Sequence, residues 1–230
     1  MNIQILGTRG EIKASAPYHS KHSGLLIDNT LLFDLGEKEF LKYKPKIIFL
    51  THLHPDHAFF INNNIEVNIP IYAPEKTKNT KKIRREIKYK EYKIKPIPTH
   101  HSKKVKSQSY LIQKKDNKIL YTGDMIWINK EHHKLLKNID LIITEASFFR
   151  KGGMIRRDKK TKEIYGHNGM PDLVNLFKKF TNNILFIHFG SWFYKNTQES
   201  RKKIKQLGKE NNVNTYIGYD NLKINLNKLK

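Results

Sequence analysis

The segment Thr51-His52-Leu53-His54-Pro55-Asp56-His57 places three imidazoles and one carboxylate within six residues. Imidazole nitrogen and carboxylate oxygen are the donors a zinc-type ion takes when no thiolate is on offer. The chain has no cysteine, so a transition metal here must be held by His, Asp and Glu. Four such groups crowded at a strand end can serve two ions. Two ions about 3.5–4 Å apart can share a hydroxide and clamp the attacking and leaving oxygens of a displacement. A lone histidine among eleven is usually an ordinary surface or core side chain. The spacing H-x-H-x-D-H, directly after the apolar run Ile47-Ile48-Phe49-Leu50, separates this stretch from coincidence.

The elements that must position these groups are mostly strands. Ile3–Leu6 reads as an opening strand and Gly7-Thr8-Arg9-Gly10 as a turn. Leu25–Asp28 and Leu31–Phe33 are apolar runs separated by Asn29-Thr30, a hairpin signal. Ile47–Leu50 feeds the histidine loop. Ile69–Ala73, Tyr92–Pro98, Tyr110–Gln113 and Lys118–Tyr121 follow, the last two flanking a tight turn at Asp116-Asn117. Leu141–Thr144 and Ile184–Ile187 are further buried strands. Three helices are expected: Pro171–Phe180, with Leu173, Leu176, Phe177 and Phe180 on one face, then Gln198–Leu207, and Lys76–Lys88 with a strongly basic outer face. Hairpins followed by strand–helix alternation suggest two mixed sheets with helices outside, an α/β or α+β sandwich in one domain over residues 1–230.

Later loops carry more candidates, each after a strand. Pro98-Thr99-His100-His101-Ser102 follows Tyr92–Ile97. Neighbouring side chains of an extended chain point to opposite sides, so only one of the two histidines reaches a common centre. Tyr121-Thr122-Gly123-Asp124 ends another strand, and Phe186-Ile187-His188-Phe189-Gly190 ends a third. The set resembles the metallo-β-lactamase fold superfamily, with the motifs in order from Leu6-Gly7-Thr8 to His188. That resemblance implies an αββα sandwich. It implies that His52, His54 and His101 hold a first ion, that Asp56, His57 and His188 hold a second, and that Asp124 bridges them. His101 is preferred over His100, because His-Ser before a polar loop looks like the superfamily's third motif; His100 stays as the alternative. The ions would be two Zn²⁺, with Mn²⁺ or Fe also suited to such ligands. The resemblance also allows a homodimer.

A water between two divalent cations becomes a hydroxide near neutral pH, and Asp56 would orient it and take its proton. Leu141-Ile142-Ile143-Thr144-Glu145-Ala146-Ser147-Phe148 is similar to a His-Glu-Ala-Thr stretch of ribonuclease Z. Gly166-His167-Asn168-Gly169 sits where those enzymes have His-Ser-Thr before a helix. On that likeness His167 is a general acid or phosphate ligand, with Glu145 as its partner. Both stretches depart from the ribonuclease Z pattern and its long glycine-rich arm is absent, so tRNA processing is not implied. Seven basic residues surround Gly152-Gly153 between residues 150 and 162. Among them Arg156, Arg157, Lys159 and Lys160 are candidates to hold a polyanion. A second cluster, Lys76 to Lys95, holds ten basic residues with Tyr89 and Tyr92 interleaved.

The bulk numbers bound the rest. A chain of 230 residues with 38% hydrophobic residues can bury a sizeable core. No apolar run approaches the roughly 20 residues of a membrane span, and the N-terminus lacks a signal-peptide pattern, so a cytoplasmic protein is expected. The net charge of +23, from 44 Lys and Arg against 21 Asp and Glu, suggests an anionic substrate such as RNA, DNA or a nucleotide. A Lys-, Asn- and Ile-rich composition gives the same excess by drift. The expected function is a dinuclear metal-dependent phosphodiesterase or small nuclease. Hydrolysis of a small ester, lactone or thioester is the alternative. A nucleic-acid-binding module with a vestigial metal site is the third option, disfavoured by the intact Asp56 and Asp124.

Overall fold

A computed structural model of the chain describes residues 1–62 and 65–229. Seventeen strands are present among the described residues. They are β1 (Asn2–Gly7), β2 (Gly24–Ile27), β3 (Leu31–Phe33), β4 (Ile47–Phe49), β5 (Ile71–Ala73), β6 (Lys81–Lys82), β7 (Ile87–Tyr89), β8 (Tyr92–His100) and β9 (Ser107–Lys114). Then come β10 (Asn117–Tyr121), β11 (Trp127–Ile128), β12 (Leu141–Ala146), β13 (Met154–Arg157), β14 (Ile164–His167), β15 (Asn183–Phe189), β16 (Asn214–Ile217) and β17 (Lys223–Asn225). Three α-helices accompany them: α1 (Met170–Phe177), α2 (Ser191–Lys195) and α3 (Thr197–Glu210). None is long and apolar enough to cross a membrane.

The strands form two mixed sheets. The first runs β17-β1-β2-β3-β4-β5-β6 and the second β11-β8-β9-β10-β12-β15-β16, with β7 against β8. Each is antiparallel on one side and parallel on the other. Pairs β3–β4 and β4–β5 are parallel in the first sheet, as are β10–β12, β12–β15 and β15–β16 in the second. Alternation sends one set of side chains inward. Ile3, Ile5, Leu25, Ile27, Phe33 and Phe49 meet Tyr110, Ile112, Ile119, Tyr121, Ile143 and Leu185 between the sheets. The outward set of the second sheet, Leu120, Ile142, Ile184 and Phe186, packs on Leu173 and Phe177 of α1, Phe193 of α2 and Ile204 of α3. Outside the first sheet, Leu26, Leu32 and Ile48 are covered by Phe40, Phe59 and Phe60. Those aromatics sit on 3-10 turns, Lys38–Tyr43 and Phe59–Ile61, so the outer layer there is 3-10 rather than α. The architecture is the expected sandwich of two mixed sheets flanked by helices.

Three local expectations are corrected. No helix forms over Lys76–Lys88. The backbone of Thr77 and the carbonyl of Glu75 are engaged by Thr80, and β6 and β7 follow as short strands. Ten basic residues within Lys76–Lys95 face only Glu86 and Glu91, and a helix would set like charges such as Lys81 and Arg85 one turn apart. Gly7–Gly10 is not a turn: the amides of Thr8 and Arg9 both donate to Lys21 O, and Arg9 bridges to Phe189. The tight turn before β10 is Lys115-Asp116, one residue earlier than expected, with Lys115 at φ 52°.

A buried polar network ties the segment after β1 to the chain's end. Thr8 Oγ1 and Ser20 donate to Asp220, Thr8 also contacts His19 Nδ1, and Arg201 Nη2 lies 2.7 Å from His19 Nε2. Burial, aided by Arg201, lowers the His19 imidazole to about 4. A folded-state value below the ordinary 6.5 means that protonation favours unfolding. The stability is present above pH 6.5 and is lost as pH falls from 6.5 through 4. We expect the wild type to lose roughly 2 kcal/mol across that window, after allowing for screening, relative to His19→Gln. Parallel urea-denaturation curves for the two proteins from pH 7 to pH 4 would sink this expectation.

Candidate metal centre

All the strand ends that carry candidate residues meet at one edge of the sandwich. In the first sheet, Phe33 pairs with Phe49, so Asp34 after β3 lies beside the loop after β4. Thr51 N donates to Asp34 Oδ1 at 2.7 Å and begins the histidine segment. In the second sheet, β8, β10, β12 and β15 deliver His101, Asp124, Glu145 and His188, while β14 delivers His167.

Two clusters of expected ligands result, and His101, Asp124 and His167 make a third grouping that overlaps them. His52, His54 and His101 form the first: His52 Nε2 lies 3.1 Å from His54 Nδ1, which lies 3.2 Å from His101 Nε2. The rear nitrogens are spoken for. Thr51 Oγ1 donates to Asp34, so it accepts from His52 Nδ1–H, and His101 Nδ1–H donates to Gly166 O. His52 and His101 thereby each turn a bare Nε2 toward His54 Nδ1. Burial first, and neighbouring imidazoles second, push His52 far below its ordinary value, His54 to about 4, and His101 downward. Three neutral imidazoles whose nitrogens converge at such distances offer a cation a ready set of donors.

Asp56, His57, Asp124 and His188 form the second cluster, all buried. His188 Nε2 lies 2.9 Å from Asp56 Oδ2 and His57 Nε2 3.7 Å from the same oxygen. Asp124 spans the two clusters. Its Oδ2 is 3.8 Å from both His52 Nε2 and His101 Nε2. Its Oδ1 is 3.4 Å from His57 Nε2 and His188 Nδ1, yet this buried oxygen makes no hydrogen bond. An orphaned buried carboxylate oxygen among imidazoles is what a cation site requires. Burial raises Asp56 and Asp124, but the histidines outweigh it. Asp56 falls to about 2, and Asp124 falls well below the carboxylate range under the pull of His188 and His57. Asp124 can turn in so tightly because Gly123 precedes it at φ 59°, with a hypothetical Cβ only 2.5 Å from Thr51.

The structure brings together all seven expected ligands and separates the two adjacent histidines. His101 faces the centre, whereas His100 turns away and stacks on Trp127. His167 Nδ1–H donates to Glu145 Oε2 at 2.7 Å and lies 3.8 Å from Asp124 Oδ2, beside both clusters. Burial lowers His167, but Glu145 more than reverses this and pushes it up to about 9. Arg156, Arg157, Lys159 and Lys160 lie instead on a β13–β14 hairpin and its tip. They do not line the cleft that opens beside His101, which Lys82, Arg84, Lys104 and Lys106 line.

Two supporting residues escape the sequence reading. Asp34 Oδ2 accepts from His57 Nδ1–H at 2.7 Å and from Tyr121 OH at 2.8 Å, fixing His57 so that Nε2 faces Asp124. The signal was an acidic residue ending the apolar strand Leu31–Phe33. Ser147 Oγ contacts His188 Nδ1 at 3.0 Å and has no comparable mark in the sequence.

A family model described as a beta-lactamase superfamily domain matches residues 80–189. That span holds His101, Asp124, Glu145, His167 and His188. Among solved structures, the metallo-beta-lactamase fold protein YhfI from Bacillus subtilis is 18% identical, with a TM-score of 0.70, over 97% of this chain and 98% of that one. A diphosphatase from the PhnP family is 16% identical, with a TM-score of 0.69 and 97% coverage of each chain. The short form of human tRNase Z is 18% identical, with a TM-score of 0.64, over 98% of this chain and 99% of that one. No curated protein sequence matches the chain. At such identities the structural likeness establishes the fold.

Proposed function

This chain has the metallo-β-lactamase fold and a beta-lactamase superfamily domain, and from that premise we propose that it is a two-metal hydrolase of phosphodiesters. The observation that carries the reading is Asp124, with one oxygen toward each cluster and the buried Oδ1 left without a hydrogen bond. His52, His54 and His101 would hold one ion, Asp56, His57 and His188 the other, and Asp124 both. Zn²⁺ suits this nitrogen and oxygen set, as do Mn²⁺ and Fe. Such ions, when bound, acidify a water and offset charge on the leaving oxygen. Asp56 orients that water and takes its proton. His167, held by Glu145 through Nδ1 with that nitrogen 3.8 Å from Asp124, is the group to give a proton to the departing oxygen. Two structural neighbours are named for phosphate chemistry, a diphosphatase and a tRNase Z, and the +23 charge fits an anionic substrate.

The test is hydrolysis of bis(p-nitrophenyl) phosphate by metal-reconstituted protein, beside Asp56→Ala and a panel of lactones and thioesters. Diester turnover that falls about 10²–10⁴-fold in the variant is expected. Turnover confined to lactones or thioesters would overturn the phosphodiester assignment and leave a hydrolase of small neutral substrates.

A further inference from the structure

His101 turns into the metal cluster, so His100 faces the opposite side of the strand. There its ring stacks on Trp127, with centroids 4.6 Å apart and planes at 29°. Asn129 pins both rings, its Oδ1 accepting from His100 Nε2 at 2.9 Å and from Trp127 Nε1 at 3.1 Å. This half-buried aromatic pair lines a cleft of about 940 Å³, and His101 lines it too, so the cleft opens beside the candidate centre. Lys82, Arg84, Lys104 and Lys106, all exposed, complete its basic lining. Among the described residues none of these four is in an ion pair, whereas Lys103 is held by Asp158 at 2.6 Å. Glu75, which accepts from Lys106 N at 3.0 Å, and Glu163 also line the cleft, where the lysines and Arg84 outnumber the two carboxylates. Desolvation, Arg84 and Lys106 together lower the Lys82 ammonium and outweigh the opposing pull of Glu75, as expected where cations outnumber carboxylates.

A pre-set stacking platform beside unpaired cations matches a polyanion whose units each carry a flat ring. Bases in a duplex lie against one another, whereas an unpaired base offers its face to an indole. A volume near the top of the small-ligand range, with four free cations, exceeds what one phosphate needs. We propose that this cleft holds a single-stranded polynucleotide, with phosphates on Lys82, Arg84 and Lys106 and a base stacked on the Trp127–His100 platform. The strand then reaches the centre past His101. The proposal rests on the phosphodiesterase reading for its biological sense, since the strand is what the centre would cut.

Binding is measured by fluorescence anisotropy of a labelled eight-nucleotide single strand on the full chain carrying Asp56→Ala, so that the readout is independent of cleavage. Lys82→Ala, Arg84→Ala and Lys106→Ala combined should weaken binding at least tenfold. They should also flatten the log–log salt slope by about 2, three single-strand contacts at about 0.7 each. Trp127→Ala should weaken binding about 5- to 150-fold, and Trp127→Phe should restore most of it. Unchanged affinity and salt slope in the triple variant would overturn the proposal. So would a duplex of equal length binding as tightly, with Trp127→Ala neutral. If the small diester is never hydrolysed while strand binding still depends on these residues, the function reading fails and the cleft assignment stands.

Discussion

The Asp124→Ala protein is expected to lose bis(p-nitrophenyl) phosphate turnover by roughly 10³-fold or more and to retain fewer than two ions per chain. One side chain faces both clusters, at 3.8 Å from His52 and His101 and at 3.4 Å from His57 and His188. On the two-metal reading its removal would take a donor from each ion at once and leave buried imidazoles without the carboxylate that balances them. His57 illustrates the point. Burial lowers it, but Asp124, Asp34 and Asp56 raise it well above 6.5. Elemental analysis after gel filtration in trace Zn²⁺ reads the stoichiometry, and the diester assay reads the rate. Two ions per chain in the variant, with turnover within tenfold of wild type, would refute the bridging role.

Stripping metal with a chelator is expected to lower the melting temperature by roughly 10 °C. An ion present at about 1,000 times its dissociation constant stabilises the state that binds it by about 4 kcal/mol. For a chain of this size each kcal/mol is about 2–4 °C. The stripped site is itself poor, with a buried carboxylate oxygen left unbonded among imidazoles. Melting curves before chelation, after it, and after restoring Zn²⁺ decide the matter. A melting temperature that does not move, with metal loss verified by elemental analysis, would mean that the clusters gain nothing from a cation.

How much of this was legible beforehand follows the range of each interaction. The His52–His57 segment is local: its ligands share one loop after one strand, so residue types and spacing were enough. Alternation of an extended chain required that only one of His100 and His101 face the centre, and the choice of His101 came from the family likeness of His-Ser; the two rings do point to opposite sides. Buried strands announced themselves through apolar runs between turn residues. The Lys76–Lys88 segment did not, because Ile83 and Ile87 sit at helical spacing while charge repulsion and the Thr77–Thr80 turn oppose a helix. Asp34 acts on His57 from 23 residues away and meets Tyr121 from the other sheet, a contact that no local pattern encodes. The same holds for the cleft, where Lys82 and Arg84 meet Trp127 only after both sheets are built.

Each cluster draws on both sheets. The first joins His52 and His54 to His101, and the second joins Asp56 and His57 to Asp124 and His188. Neither half of the sandwich therefore carries a whole cluster by itself. On the ribosome the four leading ligands emerge about 130 residues ahead of His188, on the order of ten seconds of synthesis. Throughout that interval they form at most a weak, open chelate. The full set of candidate donors is thus assembled only when the last strands dock.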